Sequence, residues 1–438
     1  MRIHVFGGDK MRKMKASGIE WIGQIPDEWN IWPTKRFFRH TKIVAGKHVD
    51  LYERLALTMS GVIKRNKDDS EGLQPEKFDT YQVLRENELV FKLIDLANVK
   101  TSRVGLSTYT GIVSPAYIVL SNDNSDNRFY YYYFMFMYYN EIFNNLGDNG
   151  VRSSLNAQDL LNIPMIDVPL ETQKHIADFL DDKCSKIDRY IEKQQQIIEK
   201  LKEYKQSVIT ESVTKGLNQD VPMKDSGIEW IGMIPEHWSL GKTGYITKKI
   251  GSGKTPKGGA EVYAQEGILF LRSQNIYDYG LEIEDPIFIN EEIDNEMSNT
   301  RVYKNDILLN ITGGSIGRSC IYPFESHANV NQHVCIIRVI DTIILPMYMN
   351  FFWISNAGQT SIDIYQSGAN REGLNFEQIS KTFLPVPSIE EQEVIIDFLN
   401  KKCKTINDSI KDATIIVDRL IEYKKSLIYE AVTGKLEV

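Results

Sequence analysis

The phrase SGIEWIGQIPDEW at positions 17–29 returns as SGIEWIGMIPEHW at 226–238. A longer pair repeats downstream: PLETQKHIADFLDDKCSKIDRYIEKQQQIIEKLKEYKQSVITESVTKGL begins at Pro169, and PSIEEQEVIIDFLNKKCKTINDSIKDATIIVDRLIEYKKSLIYEAVTGKL begins at Pro387. Gln173 matches Gln392, Phe179 matches Phe398, Cys184 matches Cys403, Tyr204 matches Tyr423 and Glu211 matches Glu430, with no gap between them. Self-similarity at a fixed offset is the mark of a duplicated architecture. Any fold for these 438 residues must therefore write one plan twice. The length agrees, being about two to three times that of a usual single domain.

Within each long repeat, apolar residues alternate by three and four: Ile176, Leu180, Cys184, Ile187, Ile191, Ile198, Leu201, Val208, and then Ile395, Leu399, Cys403, Ile406, Ile410, Val417, Leu420, Leu427. That spacing draws one stripe along a helix and matches a coiled-coil seam. A helix of about 40 residues, on the order of 60 Å long, cannot stand alone with one apolar stripe. The complementary stripe is on its twin, which predicts that the two helices pair antiparallel. Between phrase and helix lie two lobes, at 30–162 and 239–383, where identity collapses but the plan persists. Each has short strand-like runs punctuated by Gly (NELVFKLIDL and GIVSPAYIVL; DILLNITGG and ANVNQHVCIIRV), then an aromatic helix (RFYYYYFMFMYY; MYMNFFWIS). Each closes with R-x-x-L-N, at Arg152, Leu155, Asn156 and at Arg371, Leu374, Asn375. Asn156 with Asp159, and Asn375 with Gln378, have the spacing of a box-like helix cap. The expected class is α+β: two globular lobes separated by two long antiparallel coiled-coil helices, with a pseudo-two-fold internal repeat. Trp21, Ile25, Trp29 and Trp230, Ile234, Trp238 are expected to anchor each lobe to that scaffold by burial.

Several chemistries are unsupported by the residues. GSGKTPKGG at 251–259 lacks the first Walker glycine, Lys248 standing in its place, and Pro256 follows where a helix should begin. NITGGSIGR at 310–318 lacks the order of a dinucleotide fingerprint. The seven His show no paired ligand spacing, and the four Cys include no C-x-x-C pair, so neither metal site nor catalytic constellation is expected. The aromatic run at 130–139 is shorter than the about 20 residues that span a bilayer, and the N-terminus has no apolar signal core. A cytoplasmic protein without membrane contact is expected. A net charge of -8 argues against broad nonspecific coating of nucleic acid but allows a local basic patch.

The opener S-G-I-E-W-I-G-x-I-P-x-x-W, the P-x-x-E-Q-like start of a long helix (PSIEEQ, degenerate as PLETQ), the endings TKGL and TGKL and the two-fold repetition together resemble the specificity (S) subunit of type I restriction-modification systems. The resemblance covers nearly the whole chain from about Lys15. It implies an N-terminal extension at 1–14, target recognition domains at 15–162 and 218–386, and conserved long helices at 163–217 and 387–438. It also implies a non-catalytic subunit with no cofactor of its own. Each domain would read one half of a bipartite asymmetric site in double-stranded DNA, while the paired helices set the unread spacer. Two methyltransferase (M) subunits would dock on the helices and bring S-adenosylmethionine, and restriction (R) subunits would join that core. A two-module coiled-coil scaffold without DNA, an enzyme housed in one lobe, and a methylation-only complex are the rival readings.

Base edges are read by Arg, Lys, Asn and Gln, and phosphates are held by Lys, Arg, Ser, Thr and free amides. The candidates in the first lobe are Lys92 and the loop residues Asn98, Lys100, Thr101, Ser102 and Arg103. In the second they are Lys254, Thr255, Arg272, Ser273, Gln274, Asn275, Thr312, Ser315 and Arg318. Arg152 and Arg371 recur in both lobes, so they suit a phosphate contact or a structural ion pair rather than base reading.

Overall fold

The computed structural model describes residues 12–67, 78–96, 103–146, 154–218, 220–367 and 373–438. The chain gathers into two compact units, Met1–Gln195 with Ile415–Val438, and Gln196–Thr414. Each long helix gives its first part to one unit and its last part to the other, so the compact units divide the helices internally and not at their ends.

The helices run from Leu170 to Lys215 and from Ile389 to Val432. Each follows a Pro, opens with acidic residues that suit the positive end of a helix dipole, and stops at a glycine in the left-handed region, Gly216 (φ 75°) or Gly434 (φ 70°). In the first unit, Ile176, Leu180, Cys184 and Ile187 share a core with Leu427, Ile428, Ala431 and Val432, and Lys424 Nζ donates to Asp188 at 2.7 Å. In the second, Ile209 and Val213 share a core with Ile395, Leu399 and Cys403, and Lys205 Nζ donates to Asn407 Oδ1 at 2.9 Å. Within each unit rising numbers on one helix meet falling numbers on the other, so the pairing is antiparallel as the stripes predict.

The repeated Gln turns out to be a clamp. Gln173 Oε1 accepts from the Asp126 backbone N–H at 2.9 Å while its Nε2 donates to Val168 O; Gln392 Oε1 accepts from Leu345 N–H at 2.7 Å while its Nε2 donates to Ile343 O and Pro387 O. Asp126 and Leu345 are the N-caps of the aromatic helices Asn127–Tyr139 and Pro346–Ile354. Both Gln side chains are buried, so each satisfies backbone groups that would otherwise be stranded where a helix begins. Each R-x-x-L-N closure also works as its spacing predicts: Asn156 with Asp159, and Asn375 with Gln378, form capping boxes.

The repeated opener docks across copies. In the first unit Trp29 is fully buried, and a side chain at Gly434 would come within 2.8 Å of its ring. Lys435 Nζ, from the same end of the second long helix, donates to Ile22 O at 3.0 Å. In the second unit Trp238 packs on Gly216, which ends the first long helix, and its Nε1 donates to Glu391 at 2.9 Å. Ile25 and Ile234 are buried beside them, whereas Trp21 and Trp230 are only partly covered. Glycine is needed at both helix ends for two reasons: the positive φ, and the room the indole takes.

The divergent lobes share one topology. The first unit has a sheet ordered Arg39–His40, Ile118–Ser121, Leu89–Phe91, Val104–Leu106, and a second ordered Gly61–Arg65, Arg54–Thr58, Gly111–Val113, Gln82–Leu84. The second unit has Thr247–Ser252, Val334–Val339, Ile307–Asn310, Ser319–Ile321, and Phe288–Ile289, Ile268–Leu271, Ala328–Val330, Arg301–Val302. Among the described residues each unit has one parallel pair, Arg54–Thr58 with Gly111–Val113 or Ile268–Leu271 with Ala328–Val330, beside antiparallel partners. Even the turns agree, since Asn87 (φ 66°) and Asn305 (φ 71°) both enter the third strand of the first sheet in a left-handed conformation that Asn tolerates. Among the described residues the second lobe buries two carboxylates: Asp306, at the entry to the strand Ile307–Asn310, is held by Arg338 at 2.7 Å, and Asp294, on the short helix Glu291–Glu296, by Arg301, His327 and Asn329.

Candidate nucleic-acid interface

Four strand ends of the second unit converge on one rim. Ser252 pairs with Cys335, Asn310 with Val334, and Leu271 with Val330, which brings the residues beyond each strand to the same place. Gly253 makes this possible: a Cβ there would stand 1.9 Å from Val330 O, and Lys254 N–H donates to that same carbonyl at 3.0 Å. The glycine of the GSGKT stretch thus serves close backbone packing, and a 3-10 turn at Gly259–Val262 follows it.

The rim gathers Lys254, Thr255, Arg272, Ser273, Gln274, Thr312, Ser315 and Arg318. Asn310 is the hinge of the group: its Nδ2 donates to Ser273 O at 2.8 Å and to Ser315 Oγ at 3.1 Å, and its backbone N–H donates to Arg318 O at 2.8 Å. Thr255 Oγ1 bonds Gln332 Oε1, Gln332 Nε2 lies 3.2 Å from His333 Nε2, and His333 Nδ1 bonds Thr312 Oγ1, so one line of polar side chains joins three loops. The Arg318 guanidinium lies 4.7 Å over the Tyr277 ring, which itself stacks on Tyr279. Among the described residues Lys254, Arg272 and Arg318 form no salt bridge, although the Asp278 carboxylate is close enough to Arg318 for the two charges to attract and the Arg272 Nε is buried. Near them Asp278 accepts from Ser319 N–H, and burial raises its carboxyl above the usual range.

Two sequence candidates need correction. Asn275 is buried: its Oδ1 accepts from Arg272 N–H and its Nδ2 donates to Glu282 O, both at 2.9 Å, so it closes a turn and does not face outward. Arg103 is only 1% exposed, and its guanidinium donates to Ile94 O at 3.0 Å and Asp95 O at 2.8 Å. Burial lowers its pKa from the usual arginine value. Asp95 is left-handed (φ 54°), so Arg103 pins a tight loop from within. Arg103 and Arg318 are equivalent in topology: Lys92 N–H donates to Arg103 O at 2.9 Å just as Asn310 N–H donates to Arg318 O. One fold position has therefore become a loop pin in one lobe and a rim cation in the other. Arg103→Ala is expected to cost about 2–4 kcal/mol of stability, since two charged hydrogen bonds made by a buried guanidinium are lost. A urea unfolding midpoint measures this, and an unchanged midpoint would return Arg103 to the interface.

Lys92 is half-buried at the end of its strand. Asn98, Lys100, Thr101, Ser102, Arg152 and Arg371 lie outside the described residues. The sequence candidates do not include Asn310, Gln332 and His333. The signal for Gln332 and His333 is the polar N-Q-H triplet at 331–333 interrupting the apolar run ANVNQHVCIIRV, which reads as a turn only once the two flanking strands are known to diverge into different sheets; Asn310 is a lone polar residue at the end of an apolar strand.

The thiols belong to the core. Burial pushes Cys184 up to about 11 and Cys320 and Cys335 up to about 12, and raises Cys403 as well, so they stay protonated near neutral pH. Among the described residues no group of three or more His, Cys, Asp or Glu is placed to hold a metal ion, and no helix is long and apolar enough to cross a membrane.

The family model for the type I restriction modification DNA specificity domain matches residues 61–203 and 235–414. The type I restriction enzyme EcoBI specificity subunit of Escherichia coli is 28% identical over 295 residues, which is 65% of this chain and 60% of that protein. A putative type I restriction enzyme MjaX specificity subunit of Methanocaldococcus jannaschii is 26% identical over 299 residues, 66% of this chain and 62% of that one. The matches thus span about three fifths of the length of these relatives. A chain in a solved structure concerned with complex assembly and conformational transition of the type I R-M system superimposes with a TM-score of 0.70 at 12% identity, covering 94% of this chain and 99% of that one. At that identity the likeness speaks for the fold.

Proposed function

Because this chain belongs to the type I restriction modification DNA specificity family, we propose that its two lobes each read one half of a bipartite asymmetric site in double-stranded DNA. The carrying observation is that the two four-stranded sheets of each unit keep the same strand order, while the sequences of the loops that leave the equivalent strand ends differ. A scaffold without a reading role has no reason to keep the frame and vary only the rim. On the rim, lysine and arginine charges suit phosphates, and fixed amides and guanidinium groups suit base edges. Arg152 and Arg371 remain proposed phosphate or bracing contacts, and Asn98, Lys100, Thr101, Ser102 and Lys92 the proposed reading residues of the first lobe.

The paired long helices set the spacer and receive two methyltransferase subunits, and restriction subunits complete the assembly in the cytoplasm. The chain supplies the address and its partners the chemistry. Mapping methylated adenines in DNA of the source cell, with and without this gene, tests the reading. The expected result is one split motif that disappears with the gene; an unchanged methylation map rejects it.

A further inference from the structure

Gln332 occupies the turn between Ala328–Val330 and Val334–Val339, and its side chain is exposed. The turn does not need that side chain. Asn331 already closes it, its Oδ1 accepting from His333 N–H at 3.2 Å and its carbonyl from Val334 N–H at 3.2 Å, while Asn331 N–H donates to Leu271 O at 3.0 Å. Yet the Gln332 amide is held at both atoms. The Thr255 hydroxyl donates to Oε1, and Nε2 donates to His333 Nε2. That second bond requires an acceptor at His333 Nε2, which places the imidazole proton on Nδ1, where it donates to Thr312 Oγ1.

A primary amide has two acceptor and two donor positions. With one of each engaged from behind, Gln332 keeps one acceptor and one donor. Adenine presents the complement in the major groove, its N6 amino group as donor and its N7 as acceptor. An exposed glutamine ordinarily loses rotamer freedom when it binds, but this one is ordered in advance by Thr255 and His333, which reduces that entropic cost. Lys254, a point charge on a flexible stem, fits a phosphate instead.

We infer that Gln332 reads an adenine in the half-site contacted by the second lobe, with Thr255 and His333 as the residues that position its amide. The inference rests on the proposed reading of this chain as a DNA reader and adds a residue and a base to it.

The test selects duplexes from a randomised library with the complex of this chain and its methyltransferase subunits. Wild-type protein should return a bipartite motif with an A·T pair in the second half. Gln332→Ala should lose discrimination at that pair alone, on the order of 5- to 150-fold, and Gln332→Arg should move the preference there toward G·C. Thr255→Val should weaken the same pair while Thr255→Ser, which keeps the hydroxyl, should not; a merely structural threonine would not act on one base pair. A bipartite wild-type motif that Gln332→Ala leaves unchanged, or weakens equally at all positions, overturns the inference while the reader proposal stands. A wild-type library without any preference overturns both.

Discussion

A heptad inserted into both long helices, after Gln195 and after Thr414, is expected to widen the unread gap by about three base pairs. Seven residues add about 10 Å of helix, and one base pair rises about 3.4 Å. Seven is chosen because it keeps the apolar seam facing its partner, whereas a four-residue insertion would rotate the stripe away. Both helices must be changed. The step from Asp188 to Lys205 on one helix equals the step back from Lys424 to Asn407 on the other, so lengthening one helix alone breaks the pairing in one of the units. The single insertion should abolish methylation at native sites, and the double insertion should restore it at sites with the wider gap. Methylation mapping distinguishes the two, and a double variant still confined to the native spacing would remove the helices from the ruler role.

Arg318→Ala is expected to relax reading in the half-site of the second lobe and leave the other half intact. A guanidinium held over the Tyr277 ring can offer its planar fork to guanine, a contact worth about 1–3 kcal/mol of discrimination. Binding competition between the native site and single-pair variants measures it. Equal losses at both halves would point to a general phosphate contact. The contrast with Arg103 sharpens the expectation: the same fold position buried in the first lobe should move the unfolding midpoint, and on the rim of the second lobe should move the base preference.

The repeat was legible because the duplicated parts are those whose side chains meet the same partners twice. The stripe from Ile176 to Val208 reads as a helix because steps of three and four are a local signal, although in the second unit the fully buried positions of that helix are Ile209 and Val213, with Val208 only partly covered; Asn156 and Asn375 read as caps since capping is a contact between near neighbours. Trp29 and Trp238 were expected to be buried, but their hosts were hidden: each rests on the glycine that ends a long helix, and for Trp29 that glycine lies at the far end of the chain. The role of Gln173 and Gln392 was equally out of reach, because the backbone groups they satisfy come from a different element.

Candidate residues fared according to distance in the same way. Thr255, Thr312 and Arg272 are separated widely in sequence, and their loops reach one rim through the pairing of Ser252 with Cys335, of Asn310 with Val334 and, in parallel, of Leu271 with Val330. Arg103 and Asn275 have the residue types of readers but turn inward, each bonded to backbone groups of its own loop.

What the sequence by itself determined is the doubling, the long helices and the capped turns that close each lobe, because periodicity and capping depend on neighbours a few residues away. What only the tertiary structure decided is which polar side chains face outward. That choice depends on which backbone groups burial leaves without water, and those groups are set by strands and helix ends far away along the chain.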